Sequence, residues 1–285
     1  MFVHLHCHSH YSFLRGVNPP EEIIAAAAQQ QMPAVALTDT DGMYAAVPFY
    51  QKAKAAGIKP IVGVTLDVAF AAENPTQNMT VPLVLLATDS SGYSNLCRLT
   101  TLRHLGELRP TQETFAQDTG RPVTIDELAA HSDGVIALYP SALSFRAQLA
   151  KRDAHISARL KNIFTNRLYL EVQHLSSGDG RTLREGERLG RDLSIPLVAT
   201  NNVHFLKPEE HFYHRAVNAI RTNSLLTTVV SPAITTAEAW FKPVAAMQKL
   251  FPDHPELLRN SLEIADHCNL KLQLGKLIFP QFPVP

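Results

Sequence analysis

Short apolar runs alternate with helix-like stretches along most of this chain. The runs at 34–37, 81–87, 134–139 and 195–200 contain few polar residues, and more polar, amphipathic stretches lie between them. Strands that are apolar on both faces are typical of a parallel sheet whose outer side is covered by helices. The alternation therefore predicts an α/β protein, folded either as a barrel or as a doubly wound sheet.

Motifs that are missing favour the barrel. No Gly-x-Gly-x-x-Gly follows a predicted strand, and the chain contains neither a P-loop nor a Gly-x-Ser-x-Gly nucleophile elbow. Further along, the pattern becomes helical, at 208–221, 235–250 and 255–268. We therefore expect two units: a barrel in 1–205, and a helical extension with a Pro-rich linker in 206–285.

Composition excludes several classes of function. The 26 basic and 26 acidic residues give a formal net charge of +0, so no overall field attracts nucleic acid or an anionic membrane. Three cysteines without a Cys-x-x-Cys pair predict no disulfide framework. No apolar run reaches the length of a membrane span. These features predict a cytoplasmic protein with no membrane partner.

Four histidines recur at every second position of the first predicted strand: His4, His6, His8 and His10. Side chains two residues apart on a strand point the same way, so this spacing predicts that all four share one face. Imidazole is the commonest metal ligand in proteins, and the pattern indicates a strand that holds a metal site or descends from one that did. A solvated polar face and the remnant of an affinity tag are the alternatives, although a tag would not alternate with apolar residues.

Two further polar groups follow predicted strands, at 38–41 (Thr-Asp-Thr-Asp) and at 201–204 (Asn-Asn-Val-His). In a parallel barrel the functional residues gather at the carboxyl ends of the strands, so we expect these groups to meet the histidines at one barrel mouth. Such a His/Asp site suits Zn²⁺, Mn²⁺ or Fe ions, which activate water and neutralise phosphoryl oxygens. Two of the residues also have simpler interpretations: Asp39 as a helix cap, and His204 as a buried core histidine.

Several stretches carry a family resemblance in a consistent order: 4–9, 38–39, 57–63, 83–98, 169–173, 198–205, 219–222 and 282–285. Together they resemble the PHP (polymerase and histidinol phosphatase) family. They are most similar to the N-terminal PHP domain of the bacterial C-family DNA polymerases, the α subunits of DNA polymerase III. The stretches at 12–16 and 95–98 are closer to the error-prone members of that family.

The resemblance implies a distorted (β/α)7 barrel with a helical C-terminal extension. In active members the barrel mouth binds up to three metal ions and hydrolyses phosphate esters. The resemblance matches His6 and His8 to the family's paired histidines and His204 to its final histidine. The candidate metal ligands in this chain are His6, His8, His204, Asp39, Asn202 and His4.

This chain departs from the family at four positions where active members carry ligands. Thr40 and Tyr139 stand in place of histidines, and Thr65 and Asn202 stand in place of carboxylates. Adjacent divalent ions need anionic ligands, so the departures imply a degenerate site with no catalytic residue. We expect one Zn²⁺, Mn²⁺ or Fe ion at this site, or none.

The resemblance thus predicts a fragment of a DNA polymerase III α-type polymerase that acts in DNA replication or translesion synthesis, with its palm domain beyond residue 285. The fragment would be catalytically inactive by itself, with a structural or subunit-interaction role. Its partners would be the rest of the polymerase chain, replication subunits, and DNA through the parent protein. The alternative is a freestanding metal-dependent phosphoesterase or 3′–5′ exonuclease of the PHP family.

Overall fold

The structure, a computed structural model, describes residues 1–70, 79–106, 121–140, 150–175, 179–229 and 235–275. Its strands are β1 (Ala34–Leu37), β2 (Lys59–Phe70), β3 (Met79–Ala87), β4 (Val123–Thr124), β5 (Val135–Pro140), β6 (Leu168–Gln173) and β7 (Leu197–Thr200). Its helices are α1 (Pro20–Gln29), α2 (Ala46–Ala55), α3 (Ser90–Leu105), α4 (Ile125–Ala130), α5 (Ala150–Phe164), α6 (Asp179–Leu193), α7 (His211–Arg221), α8 (Val244–Leu250) and α9 (Pro255–His267). Within these described ranges, no helix is both long enough and apolar enough to cross a membrane.

The sheet follows the path β1-β2-β3-β5-β6-β7, and β4 pairs with β2 beside it. The pairs β1–β2, β5–β6 and β6–β7 are parallel, as the apolar pattern predicts. Strand β3 is antiparallel to both of its neighbours, so the prediction of a fully parallel sheet is wrong there. The reason is the short connection at 71–78, because a parallel crossover needs about a dozen residues or more.

The amino-terminal segment, residues 3–8, joins the two edges of this sheet. On one side Ala36 of β1 donates its N–H to the carbonyl of His4 at 2.9 Å. On the other side His8 donates its N–H to the carbonyl of Val203, just beyond β7, at 2.8 Å. The sheet therefore curls into a distorted barrel, which confirms the predicted fold class. The end at which β1, β6 and β7 finish is the barrel mouth.

One extra residue interrupts the alternation of side chains in the amino-terminal segment. Along β1 the N–H groups of Ala36 and Thr38 are two residues apart, but they donate to the carbonyls of His4 and Cys7, which are three residues apart. An inserted residue of this kind turns the side chains that follow it to the opposite face of the strand. His6 and His8, which follow the insertion, therefore point into the barrel mouth, and His4, which precedes it, does not.

His4 consequently lies on the outer side of the barrel wall. Its ring packs against Phe2 and Phe241, with centroids 4.8 and 4.2 Å away, and its Nε2 donates to the carbonyl of Lys242 at 2.8 Å. His10 lies at the surface beside Tyr11. The prediction that all four histidines share one face is therefore wrong for His4.

The barrel interior is filled by side chains from the amino-terminal segment, from six strands and from α9. This set consists of Val3, Leu5, Ala34, Ala36, Ile61, Val84, Leu86, Ile136, Leu138, Tyr169, Val198, Ile264, Ala265 and Cys268. Helix α9 closes the end opposite the mouth, where Ser261 Oγ accepts from the N–H of Val3 at 3.0 Å and the carbonyl of Ala265 accepts from Lys59 Nζ at 2.6 Å. Part of the predicted helical extension is thus packed into the barrel core.

One predicted helix start lies elsewhere. The helix predicted over 235–250 begins only at Val244, because Pro243 lacks an N–H and disfavours helical geometry in the residue before it. Helix α4 begins with a capping box formed by Thr124 and Glu127.

Replacement of Ile264 by alanine tests the packing of α9. Ile264 is fully buried in the barrel interior, so the resulting cavity should lower the free energy of unfolding by about 2–5 kcal/mol. Ile220→Ala is the matched control, because Ile220 is 69% exposed on α7, and it should change stability by less than about 0.5 kcal/mol. Urea unfolding measures both values, and equally small losses would contradict the placement of α9.

Candidate metal centre

Three histidines meet at the barrel mouth and form the mouth cluster: His6, His8 and His204. The Nε2 atoms of His6 and His8 lie 3.0 Å apart, and the ring centroids of His8 and His204 lie 4.3 Å apart. All three side chains are buried. The predicted meeting of the amino-terminal histidines with the histidine that follows the last strand is therefore confirmed.

Glu171 of β6 orients His6. Its Oε1 lies 2.6 Å from Nδ1 of His6, and Thr200 of β7 donates its hydroxyl to the same oxygen at 2.6 Å. Burial raises the pKa of Glu171, but the charge and hydrogen bond of His6 and the bond from Thr200 outweigh it and hold the pKa below its usual value. An ionised carboxylate only accepts hydrogen bonds, so Nδ1 of His6 carries a proton, and in the neutral imidazole Nε2 then presents a lone pair.

Ser12 orients His8 in a similar way. Its hydroxyl donates to Asp39 Oδ1 at 2.6 Å, so its oxygen accepts from Nδ1 of His8 at 3.0 Å. Asp39 also accepts from the N–H and the hydroxyl of Ser9, at 2.6 and 2.8 Å. Burial raises the pKa of Asp39, although the bonds from the two serines oppose this rise. The carboxylate of Asp39 thus holds the loop that supports His8.

The backbone orients His204. Its Nδ1 donates at 2.8 Å to the carbonyl of Asn202, which can only accept. Asn202 has a φ of 43°, in the left-handed region that asparagine tolerates better than most residues. Every ring of the mouth cluster therefore has its Nδ1 proton engaged and presents the lone pair of Nε2, which is the arrangement of metal-binding histidines.

The facing nitrogens of His6 and His8 fit a cation. Two lone pairs 3.0 Å apart repel each other, whereas a cation between them attracts both. With Zn–N bonds of about 2.0–2.1 Å, two ligands of one tetrahedral ion lie about 3.3 Å apart, so only a small shift is needed. The side chain of Asn202 lies beside His8, and its Oδ1 is buried. It is a further oxygen donor.

The described residues at positions 40, 65 and 139, where the family resemblance implies metal ligands, are neutral. Thr65 donates its hydroxyl to the carbonyl of Thr38 at 2.9 Å, and the hydroxyl of Thr40 lies 3.3 Å from Nδ1 of His8. Tyr139 is buried in the apolar layer between the sheet and its helices, away from the mouth. Among the residues that the structure describes, no three His, Cys, Asp or Glu side chains form a ready-made metal cage.

Two residues beside the mouth cluster are not singled out by the sequence reasoning. Glu171 is a lone carboxylate in the otherwise apolar strand 168–173, and this is a signal that could have identified it. His214 comes from α7, where its ring lies 5.0 Å from that of His204 and its Nδ1 donates to the carbonyl of Arg15 at 2.7 Å. No spacing in the sequence points to His214, because only the packing of α7 brings it to the mouth.

The PHP domain family matches residues 4–175. That match covers more than half of the chain, and the chain belongs to the PHP family. An error-prone DNA polymerase from Symbiobacterium thermophilum is 36% identical to it, and the DNA polymerase III subunit alpha from Bacillus subtilis is 30% identical. Both alignments cover 100% of this chain but 26% and 24% of the relative. The chain thus spans about a quarter of the length of these curated relatives.

Two solved structures show partial similarity to this chain. One, from Bifidobacterium adolescentis, is provisionally described as a metal-dependent phosphoesterase. It is 14% identical, with a TM-score of 0.49 over 71% of this chain and 87% of that chain. The other is an amidohydrolase from Chromobacterium violaceum with bound sulfate and no metal. It is 16% identical, with a TM-score of 0.45 over 72% of this chain and 88% of that chain.

Burial keeps four histidines neutral: His8 and His204 in the mouth cluster, His214 beside it, and His4 on the outer side of the barrel wall. It lowers the pKa of His8 and of His204 well below the usual value, with neighbouring histidines adding to the effect. It lowers the pKa of His4 and of His214 to about 4, although a bond to a backbone carbonyl opposes it in each case. Desolvation is the main cause in all four, because the charged imidazolium loses its hydration.

We expect acid to destabilise the metal-free protein. Between pH 6.5 and about 4 the unfolded chain binds protons at these histidines and the folded protein does not, so the free energy of unfolding falls as the pH falls. His214 alone should contribute on the order of 2–3 kcal/mol over this window. Urea unfolding at several pH values tests this, with His214→Gln expected to show a shallower slope. An unchanged slope in that variant would contradict the burial of His214.

Proposed function

We propose that this chain is the PHP domain of a DNA polymerase III α-type polymerase, of either the replicative or the error-prone kind. Relatives of both kinds match it over its whole length, which supports the proposal. Nucleotidyl transfer, in replication or translesion synthesis, belongs to the part of such a polymerase that this chain does not span. The proposed partners are the rest of the polymerase chain and the replication subunits. DNA would be bound through the parent polymerase. The proposed location is the cytoplasm.

We also propose that the mouth cluster binds one Zn²⁺ ion and has a structural role. Its donors are imidazoles, which suit Zn²⁺ better than the oxygen-preferring Mn²⁺. His6 and His8 would hold the ion through Nε2, with His204 and Asn202 as the adjacent donors. Because the first two lie on the amino-terminal segment and the others follow β7, a bound ion would tie together the two parts that close the barrel.

One observation supports a structural role for the mouth cluster rather than a hydrolytic one. Two carboxylates near the mouth cluster, Glu171 and Asp39, are engaged behind the ligands, on His6 and on the serines that support His8. Neutral groups occupy positions 40, 65 and 202, where the family resemblance implies ligands. Two-metal hydrolysis requires adjacent divalent ions, and these need anionic ligands between them. The donor set therefore fits a single ion.

Metal binding by the purified chain tests the zinc proposal. We expect one equivalent of Zn²⁺, and a gain of about 2.7 kcal/mol in unfolding free energy at a zinc concentration 100 times the Kd. His6→Ala and His8→Ala should each lose this gain. His254→Ala is the control, because that imidazole pairs with Glu187 at 3.2 Å just before α9, away from the mouth. Calorimetric titration measures the binding, and a wild-type chain that takes up no zinc would refute the proposal.

Activity assays distinguish the structural role from the freestanding phosphoesterase. With Zn²⁺ or Mn²⁺, the chain should incorporate no nucleotides. It should also hydrolyse single-stranded DNA and p-nitrophenyl phosphate no faster than a His6→Ala/His8→Ala variant. Asn202→Asp restores one carboxylate at a position whose φ of 43° aspartate also tolerates, so this variant should bind Zn²⁺ more tightly. Hydrolysis that depends on His6 and His8 would favour the phosphoesterase instead.

A further inference from the structure

We propose that Glu171 is a positioning residue: it selects the Nδ1-protonated tautomer of His6 and so keeps Nε2 of His6 available to a cation. This inference rests on the proposed zinc-binding role of the mouth cluster. It concerns a residue that makes no contact with the ion itself. Its basis is the hydrogen-bond geometry behind the cluster.

The position of Glu171 is costly for a carboxylate. It is 3% exposed and lies on the interior face of β6, two residues after Tyr169 of the barrel interior. Within the described part of the chain it forms no ion pair with a lysine or an arginine, and its carboxylate contacts the imidazole of His6 at 2.6 Å. Removing a carboxylate from water carries a large desolvation penalty, which is offset only by well-placed hydrogen bonds. The contacts of Glu171 must therefore explain why a carboxylate occupies this buried position.

The contact partner of Glu171 has two possible tautomers with opposite consequences. With the proton on Nδ1, held by Glu171 at 2.6 Å, His6 directs a lone pair at His8, and a cation can bind between the two rings. With the proton on Nε2, His6 would donate a hydrogen bond to Nε2 of His8 across the same 3.0 Å. That bond would satisfy both nitrogens and close the site. Glu171 decides between the open and the closed pair.

Thr200 fixes the carboxylate for this task. Its hydroxyl is fully buried on β7 and donates to the same Oε1 that accepts from His6. The oxygen is therefore held in line with Nδ1 rather than free to rotate. The carboxylate–histidine arrangement is the one that orients ligands in established metal sites, where loss of the outer partner costs about 10–100-fold in metal affinity.

Two measurements on the full 285-residue chain test the inference. The first is the tautomer of His6 in metal-free protein at pH 7.5, from the ¹⁵N chemical shifts of its ring. The second is the Zn²⁺ affinity. The variants are Glu171→Met, which removes the acceptor but keeps the volume, and Glu171→Gln, whose amide oxygen can still accept from Nδ1. Glu187→Gln is the matched control, since Glu187 also pairs with a histidine Nδ1 but lies away from the mouth.

The wild type should show the Nδ1-protonated tautomer of His6. Glu171→Met should shift it to the Nε2-protonated form and weaken Zn²⁺ binding about 10–100-fold. Glu171→Gln should retain the tautomer and most of the affinity, and Glu187→Gln should match the wild type. This pattern separates positioning from a general loss of stability, because the tautomer is read directly.

An Nε2-protonated His6 in the wild type overturns the inference, and so does a Glu171→Met variant that binds Zn²⁺ like the wild type. If Glu171→Met does not fold, the wild-type tautomer and the Glu171→Gln affinity still decide. A wild type with the expected tautomer that binds no Zn²⁺ refutes the proposed zinc site. The same result supports the inference that Glu171 selects the tautomer of His6. Failure of the zinc proposal is therefore distinguishable from failure of the tautomer inference.

Discussion

The backbone hydrogen bonds between the amino-terminal segment and the two sheet edges are the interaction on which this structure depends. They pair residues 4–8 with β1 on one side and with the chain beyond β7 on the other. Without them the sheet would keep two open edges, which proteins avoid because unpaired strand edges invite association. The same bonds bring His6 and His8 next to His204. Closure of the barrel and assembly of the mouth cluster are therefore one event.

The mouth is organised by a continuous chain of buried polar groups. It runs from Glu171 through His6 and His8 to Ser12 and Asp39, and each neighbouring pair is within 3.0 Å. In a low-dielectric interior such a chain is stable only if every donor meets an acceptor. The contact between the two Nε2 atoms is the one link where lone pairs face each other, which is why that link is the place for a cation. The carboxylates at either end supply charge without occupying ligand positions.

The helical part of the chain supports the barrel at both ends. Helix α9 fills the end opposite the mouth with Ile264 and Ala265, and α7 brings His214 against His204. The division of the chain at residue 205 remains a prediction from the sequence pattern. These contacts show that the extension contributes to the interior and to the surroundings of the site.

The sequence by itself determined the α/β class, most of the strands and the meeting of His6 and His8 with His204, because apolar periodicity and strand-end polarity are local properties. It did not reveal the antiparallel β3, although the short stretch of sequence between the two predicted strands was a usable sign. Only the tertiary structure decided that His4 faces away, since one extra residue between His4 and Cys7 is visible only in the pairing with β1. It also decided the roles of Glu171 and His214, because hydrogen bonds between residues far apart in the chain depend on how the strands and helices pack.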